Sequence, residues 1–176
     1  MSEHGTILQL KKCVLLQDMN SDELDAVFRL TESEDFAAGE EILTEGLAYQ
    51  SLWIIVTGRC EVVKSGNGLE PNRLAELEEG AVFGEMSFFE KAPHSASVRA
   101  LSDVSTMRLT RRRFEDLRKN CPAAADKIAC NLVNILSTRL RRMDEWTCQL
   151  VEGNCSERQQ GEWQEFRAKL YSGLQF

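Results

Sequence analysis

Between Glu34 and Leu109 the sequence is punctuated by Gly39, Gly46, Gly58, Gly66, Gly68, Gly80 and Gly84. The runs between them are too short for a helical stripe and carry strand-like apolar patterns. This stretch is therefore constrained to a fold of many short strands. The expected strands cover residues 34–37, 41–45, 52–57, 59–64, 73–78, 96–101 and 104–110. Leu52-Trp53-Ile54-Ile55-Val56 is continuously apolar and is expected at the centre of a sheet. Thr57-Gly58 marks a turn or bulge, and Ser65-Gly66-Asn67-Gly68 a hairpin tip. Short strands at regular spacing favour a barrel or a sandwich. A helical turn expected over residues 84–89 interrupts them where a simple barrel needs no helix.

Helical patterns flank this region. Residues 7–31 read as helical. Leu8, Leu10, Val14 and Leu15 open an apolar set, Asn20 can cap a second helix, and Glu23 can reach back to it. Leu24, Val27, Phe28 and Leu30 supply that helix's buried face. Helix returns over 111–119 and again from Pro122, where a missing amide costs nothing. The second segment runs to about Glu152, ahead of Gly153. Its residues Ala129, Leu132, Leu136, Leu140, Met143, Trp146 and Leu150 follow a near-heptad spacing. About thirty residues at about 1.5 Å each make a rod of roughly 45 Å. Such a rod outruns a domain of this size, so part of the stripe is expected to meet a partner helix in a parallel two-stranded coiled coil of a homodimer, through 122–152. In the tail, Trp163, Phe166, Leu170 and Leu174 share one helical face. That face suits packing on the parent domain, a lid, or a docking peptide, and all three remain open. The expected division is 1–110 for the N-terminal helices and the β-region, 111–152 for the following helices, and 153–176 for the tail.

Composition narrows the function classes. A net charge of −7 disfavours general nucleic-acid binding. The local cluster Arg108, Arg111, Arg112, Arg113, Arg118 and Lys119 is interleaved with Glu115 and Asp116, which suits a solvated surface. The six cysteines form no CxxC pair, and with two histidines they suggest free thiols and no metal site. There is no apolar run of membrane-span length, and the start lacks a signal peptide's basic region and apolar core. A soluble cytoplasmic protein without a membrane role is expected. No Gly-x-Ser-x-Gly elbow, P-loop or dinucleotide fingerprint occurs, so an enzyme is not expected.

The stretch Phe83-Gly84-Glu85-Met86-Ser87-Phe88-Phe89, followed by Pro93-His94-Ser95-Ala96-Ser97-Val98, carries the chemistry. Glycine lets backbone approach a ligand closely. The first amides of a helical turn have no partner inside the helix and can receive an anion. Glu85 places an acceptor beside them, which suits a sugar hydroxyl. The plainer reading is a tight corner with ordinary core aromatics.

These residues resemble the phosphate-binding cassette of the cyclic nucleotide-binding domain found in catabolite-activator-type regulators, protein kinase A regulatory subunits and cyclic nucleotide-gated channels. The family's usual form is Phe-Gly-Glu-(apolar)-Ala/Ser-(apolar), a variable loop, then Pro-Arg-Ser/Thr-Ala-x-Val. Gly39-Glu40-Glu41-Ile42, Glu45-Gly46, Leu52-Trp53-Ile54-Ile55 with Gly58, and Gly80 extend the likeness over about residues 8–150. The resemblance implies a mainly β fold with flanking helices: an eight-stranded antiparallel β-roll, or jelly roll, with N-terminal helices and a long C-terminal dimerisation helix. It implies that Glu85, after Gly84, accepts from the ribose 2′-hydroxyl. Amides near Met86 and Ser87 face the cyclic phosphate, Ser95 and Ala96 donate from its other side, and Leu74 and Ala75 lie along the base. Arg139, Met143 and Asp144 of the long helix come near the base if the register matches.

One departure stands out. The family's phosphate-binding arginine falls at His94. Arginine brings a fixed charge and forked donors, whereas histidine is shorter and charged only near or below neutrality. Three readings follow: His94 binds phosphate as a cation, another base such as Arg99 or Arg139 replaces the arginine, or the pocket has lost its nucleotide. The expected function is a cyclic nucleotide-sensing regulatory module for cAMP, or else cGMP or a related nucleotide. It would act by dimer-helix or tail rearrangement on a separate, unknown effector. The alternative is a ligand-independent dimerisation or docking module. Residues 153–176 are too few for a winged-helix domain, so DNA binding of that type is not expected.

Overall fold

The computed structural model of the protein describes residues 13–66, 72–154, 156 and 158–164. Eight antiparallel strands form two four-stranded sheets. They are β1 (Glu32–Phe36), β2 (Glu41–Leu43), β3 (Ser51–Thr57), β4 (Cys60–Lys64), β5 (Asn72–Leu77), β6 (Val82–Phe83), β7 (Ser97–Ala100) and β8 (Val104–Thr110). One sheet has the order β1-β8-β3-β6 and the other β2-β7-β4-β5. Helices α1 (Ser21–Phe28), α2 (Glu85–Phe89), α3 (Arg111–Asn120) and α4 (Pro122–Asn154) complete the fold, with a 3-10 turn at Val14–Leu16. The result is the eight-stranded roll with flanking helices that the resemblance implied.

The continuous apolar run of β3 has a physical reason. Successive side chains in a strand point to opposite faces. Trp53 and Ile55 enter a core with Leu43, Cys60, Phe83, Val98 and Val104. Leu52, Ile54 and Val56 are buried as well, outside that core. The strand is thus covered on both faces and can afford no polar alternation. A second buried set, including Leu15, Val27, Phe114, Leu117, Ile128 and Leu132, comes from the helical segments.

The helix caps follow the sequence closely. Asn20 Oδ1 accepts from the Glu23 amide at 2.9 Å, and Glu23 Oε2 accepts from the Asn20 amide at 2.8 Å, a reciprocal capping box. Lys127 of α4 donates to the same Glu23 carboxylate at 2.6 Å, and Asn131 donates to the Leu15 carbonyl at 3.0 Å. These contacts tie the first turns of α4 to the N-terminal segment.

Several expectations are corrected. Residues 7–31 are not helical throughout: Asn20 caps the second helix as expected, but the chain between the 3-10 turn and α1 is non-helical. Leu8 and Leu10 lie outside the described residues. The short strand β6 was not read from the sequence, because two residues carry no periodicity. Gly153 does not end α4, which continues to Asn154. Asn67 and Gly68 lie outside the described residues, but Lys64 pairs with Asn72 as a β4–β5 hairpin requires.

The chain divides between Val133 and Asn134 into two compact units. The second unit carries the rest of α4 and a helical stretch over 158–164. Phe166, Leu170 and Leu174 of the tail stripe lie outside the described residues. No described helix is long and apolar enough to cross a membrane.

Candidate functional site

The site is built where β6 runs into α2. Gly84 takes φ 81°, the left-handed region that costs a residue with Cβ about 1–2 kcal/mol. Space excludes a side chain as well. A Cβ there would lie 2.6 Å from the Ser51 carbonyl oxygen and 2.8–2.9 Å from the Trp53 ring. Glycine is required twice over, and the turn it permits sends the next residue inward: Glu85 is only 8 % exposed.

Two turns of chemistry follow. Ser87 is 2 % exposed and His94 is 4 % exposed, and Ser87 Oγ lies 2.6 Å from His94 Nδ1. This bond joins α2 to the loop before β7. The other ring nitrogen, Nε2, is buried with no hydrogen-bond partner among the described residues. A buried polar atom left unpaired costs about 1–3 kcal/mol. Burial pushes the imidazole below its ordinary range, so the ring is neutral at pH 7 in this state. Ser95 Oγ sits 3.6 Å from Met86 Sδ, a second and weaker link across the loop.

Neighbouring segments hold His94 in place. Its amide donates to the Leu47 carbonyl at 2.9 Å, and its carbonyl accepts from the Gly46 amide at 3.0 Å. The Tyr49 ring meets the imidazole edge-on, with centroids 4.9 Å apart. Ser97 Oγ accepts from the Glu45 amide at 2.9 Å. Sequence reasoning missed Tyr49, Ser97 and the loop that carries Tyr49. Only the nearby Glu45-Gly46 hinted at it, because the pairing of residues 46–49 with the cassette is non-local.

The nearby cations are committed elsewhere. Lys64 Nζ donates to the Ser95 carbonyl at 2.6 Å and lies 3.6 Å from Glu45. Arg99 donates from Nε to Glu61 at 2.8 Å, beside Arg73 at 3.5 Å from the same carboxylate. Val98 and Ala100 enter the core, so Arg99 points from the opposite face of β7. Arg99 is not the missing arginine's replacement. Five of the six residues in the basic cluster noted in the sequence are also paired: Arg108, Arg111, Arg113, Arg118 and Lys119 each meet a carboxylate.

The structure thus brings together Gly84, Glu85, Met86, Ser87, His94 and Ser95, with Ala96 following in the chain. Leu74 and Ala75 lie on β5, which is exposed along nearly its whole length, and Leu74 is 57 % exposed. Arg139 and Met143 belong to the second unit, where both are exposed on α4. Tyr49 and Trp53 also line a cavity of about 530 Å³ with Glu34, Phe36 and Arg108, but no cassette residue borders it.

The profile of the Cyclic nucleotide-binding domain matches residues 33–121, which span β1 to the end of α3. The chain belongs to the cyclic nucleotide-binding domain family. It is 34% identical over 133 residues to Glutaminase 2 of Bradyrhizobium diazoefficiens, covering 76% of this chain and 20% of that protein. It is 27% identical over 135 residues to the Cyclic AMP receptor protein of Thermus thermophilus, covering 77% of this chain and 61% of that one. The chain therefore spans less than two thirds of either relative. Among solved structures, a cyclic nucleotide-binding domain from Methylobacillus flagellatus superimposes with a TM-score of 0.73 at 25% identity, covering 88% of this chain and 85% of the other. Within this cyclic nucleotide-binding domain, the matched residues include both ends of the cassette, Phe83 to Val98.

Proposed function

We propose that this chain is a cyclic nucleotide-sensing regulatory domain, with cAMP as the first candidate ligand and cGMP or a related cyclic nucleotide next. The observation that carries the reading is the Gly84–Glu85 turn. A left-handed glycine packed against Trp53 turns Glu85 inward at the start of α2, where a carboxylate acceptor suits a sugar hydroxyl. Glu85 would accept from the ribose 2′-hydroxyl, while Leu74 and Ala75 would flank the base. Arg139 and Met143 are proposed as further ligand contacts on the strength of the family resemblance. Occupancy would be reported through a shift in the populations of α4 or of the tail, acting on a separate effector.

Thermal shift with cAMP, cGMP and a cyclic dinucleotide at millimolar concentration tests this reading. A ligand at 100 times its Kd stabilises the folded state by about 2.7 kcal/mol. No stabilisation by any of the three would favour a second reading, a ligand-independent dimerisation or docking module. That reading draws on the exposed apolar residues Val133, Leu140, Met143 and Trp146 of α4. Both readings propose a homodimer through 122–152, and a monodisperse monomer in light scattering at micromolar concentration would contradict it.

A further inference from the structure

The geometry points to the Ser87–His94 pair as the phosphate-recognition element of this pocket, one that becomes cationic by taking up a proton together with the cyclic phosphate. The inference rests on the cyclic nucleotide reading and adds to it a mechanism of anion recognition and a dependence on pH.

Three observations carry it. The imidazole stands where the cassette otherwise places its arginine, and it is fixed there on several sides: by Ser87 through Nδ1, by the Leu47 carbonyl and Gly46 amide through its backbone, and by the Tyr49 ring. Its remaining nitrogen, Nε2, is buried and has no hydrogen-bond partner among the described residues. Two neighbouring cations are engaged, Lys64 at Ser95 and Glu45, and Arg99 at Glu61. The site therefore holds an immobilised, neutral ring, with Lys64 engaged at the adjoining Ser95 and Lys91 exposed earlier in the same loop.

A cyclic phosphate monoanion changes the balance. With one proton drawn from solvent, Nδ1–H donates to Ser87 Oγ, and Nε2–H donates to an exocyclic phosphate oxygen. No covalent bond forms or breaks. Ser87 from α2 and Tyr49 from the loop after β2 meet the ring, Lys64 with Glu45 stands at the adjoining Ser95, and Glu90 and Lys91 are exposed earlier in the same loop. The ligand anion favours the imidazolium. Burial alone disfavours it, which is why the proton arrives with the anion and not before it. The sign follows. Ligand stabilises the protonated ring, so affinity is highest at acid pH and falls as pH rises, by up to tenfold per unit while the free ring is neutral and the bound ring charged.

The test is calorimetric titration of cAMP into the wild-type chain between pH 6 and pH 8, at each pH in PIPES and in imidazole buffer. The difference in apparent enthalpy counts the protons taken up. Adenosine, which carries the sugar and base without phosphate, is the control. The expected result is uptake approaching one proton with cAMP near pH 7.5, affinity falling up to tenfold per pH unit, and neither effect with adenosine. Proton-free, pH-independent cAMP binding overturns the inference, and so does equal uptake with adenosine. Binding by His94→Arg but not by the wild type overturns it while leaving the pocket reading intact. Binding by neither overturns both. The wild-type measurement requires no substitution in the buried site, and circular dichroism checks that His94→Arg is folded.

Discussion

The two ends of the cassette are built on opposite terms. At Gly84–Glu85 the backbone does the work: a left-handed turn, a ring packed against the missing Cβ, and a carboxylate driven inward. At Ser87–His94 the side chains do it, with a single buried bond holding a neutral imidazole that keeps one nitrogen unsatisfied. The first end is closed to variation because any side chain at residue 84 collides with β3. The second end tolerates a different residue because the surrounding loop is held by its own backbone bonds to residues 46 and 47. A cassette can therefore keep the geometry of its glycine turn while the chemistry at residue 94 changes.

Substitutions that separate the two ends should differ in kind as well as size. Gly84→Ala forces Cβ into the Ser51 carbonyl and the Trp53 ring and strains the backbone. Unfolding by urea should show a loss of about 2–5 kcal/mol. A loss below about 1 kcal/mol would mean that β3 yields and the turn is not rigid. Glu85→Gln keeps the shape and removes the charge. Titration should show cAMP affinity falling by roughly one to two decades, the worth of a charge-assisted hydrogen bond. The same substitution should matter far less for 2′-deoxy-cAMP, which lacks the hydroxyl.

The smallest effect concerns acid stability. Burial lowers the pKa of His94 in the folded state below its unfolded value. The unfolded chain therefore takes up the proton first. The stability that accompanies the neutral ring is present above the ordinary histidine range and is lost as pH falls through it toward the folded pKa. His94→Gln should flatten the fall in melting temperature between pH 7 and pH 5. An unchanged slope would place the acid sensitivity in carboxylates such as Glu23, whose pKa the Lys127 hydrogen bond holds down.

How far the sequence could be read follows the same contrast. Features set by local chemistry were legible: the Asn20–Glu23 capping box, Pro122 opening α4, the doubly covered β3, and the glycine that aims Glu85. Features set by distant parts of the chain were not. Nothing near Tyr49 says that its ring will lie on His94, because that contact depends on how the loop after β2 folds against the cassette. The Lys64–Ser95 contact and the pairing of Arg108 and Arg113 with β1 carboxylates need the tertiary fold before they can be seen, whereas Arg111, Arg118 and Lys119 pair within α3. Two-residue β6 is made by its partner β3 and has no signal of its own. The sequence did locate the departure at His94. Its burial, its bond to Ser87 and its neutral state are properties of the packed site.

The most direct test of the account is calorimetric titration of cAMP into His94→Arg at pH 7 beside the wild type. If Gly84–Glu85 is an intact sugar site and only the anion half has changed, arginine should raise affinity about tenfold or more, through a fixed charge and a second donor. An affinity no higher than that of the wild type would contradict the account, because the pocket would then have diverged at more than His94.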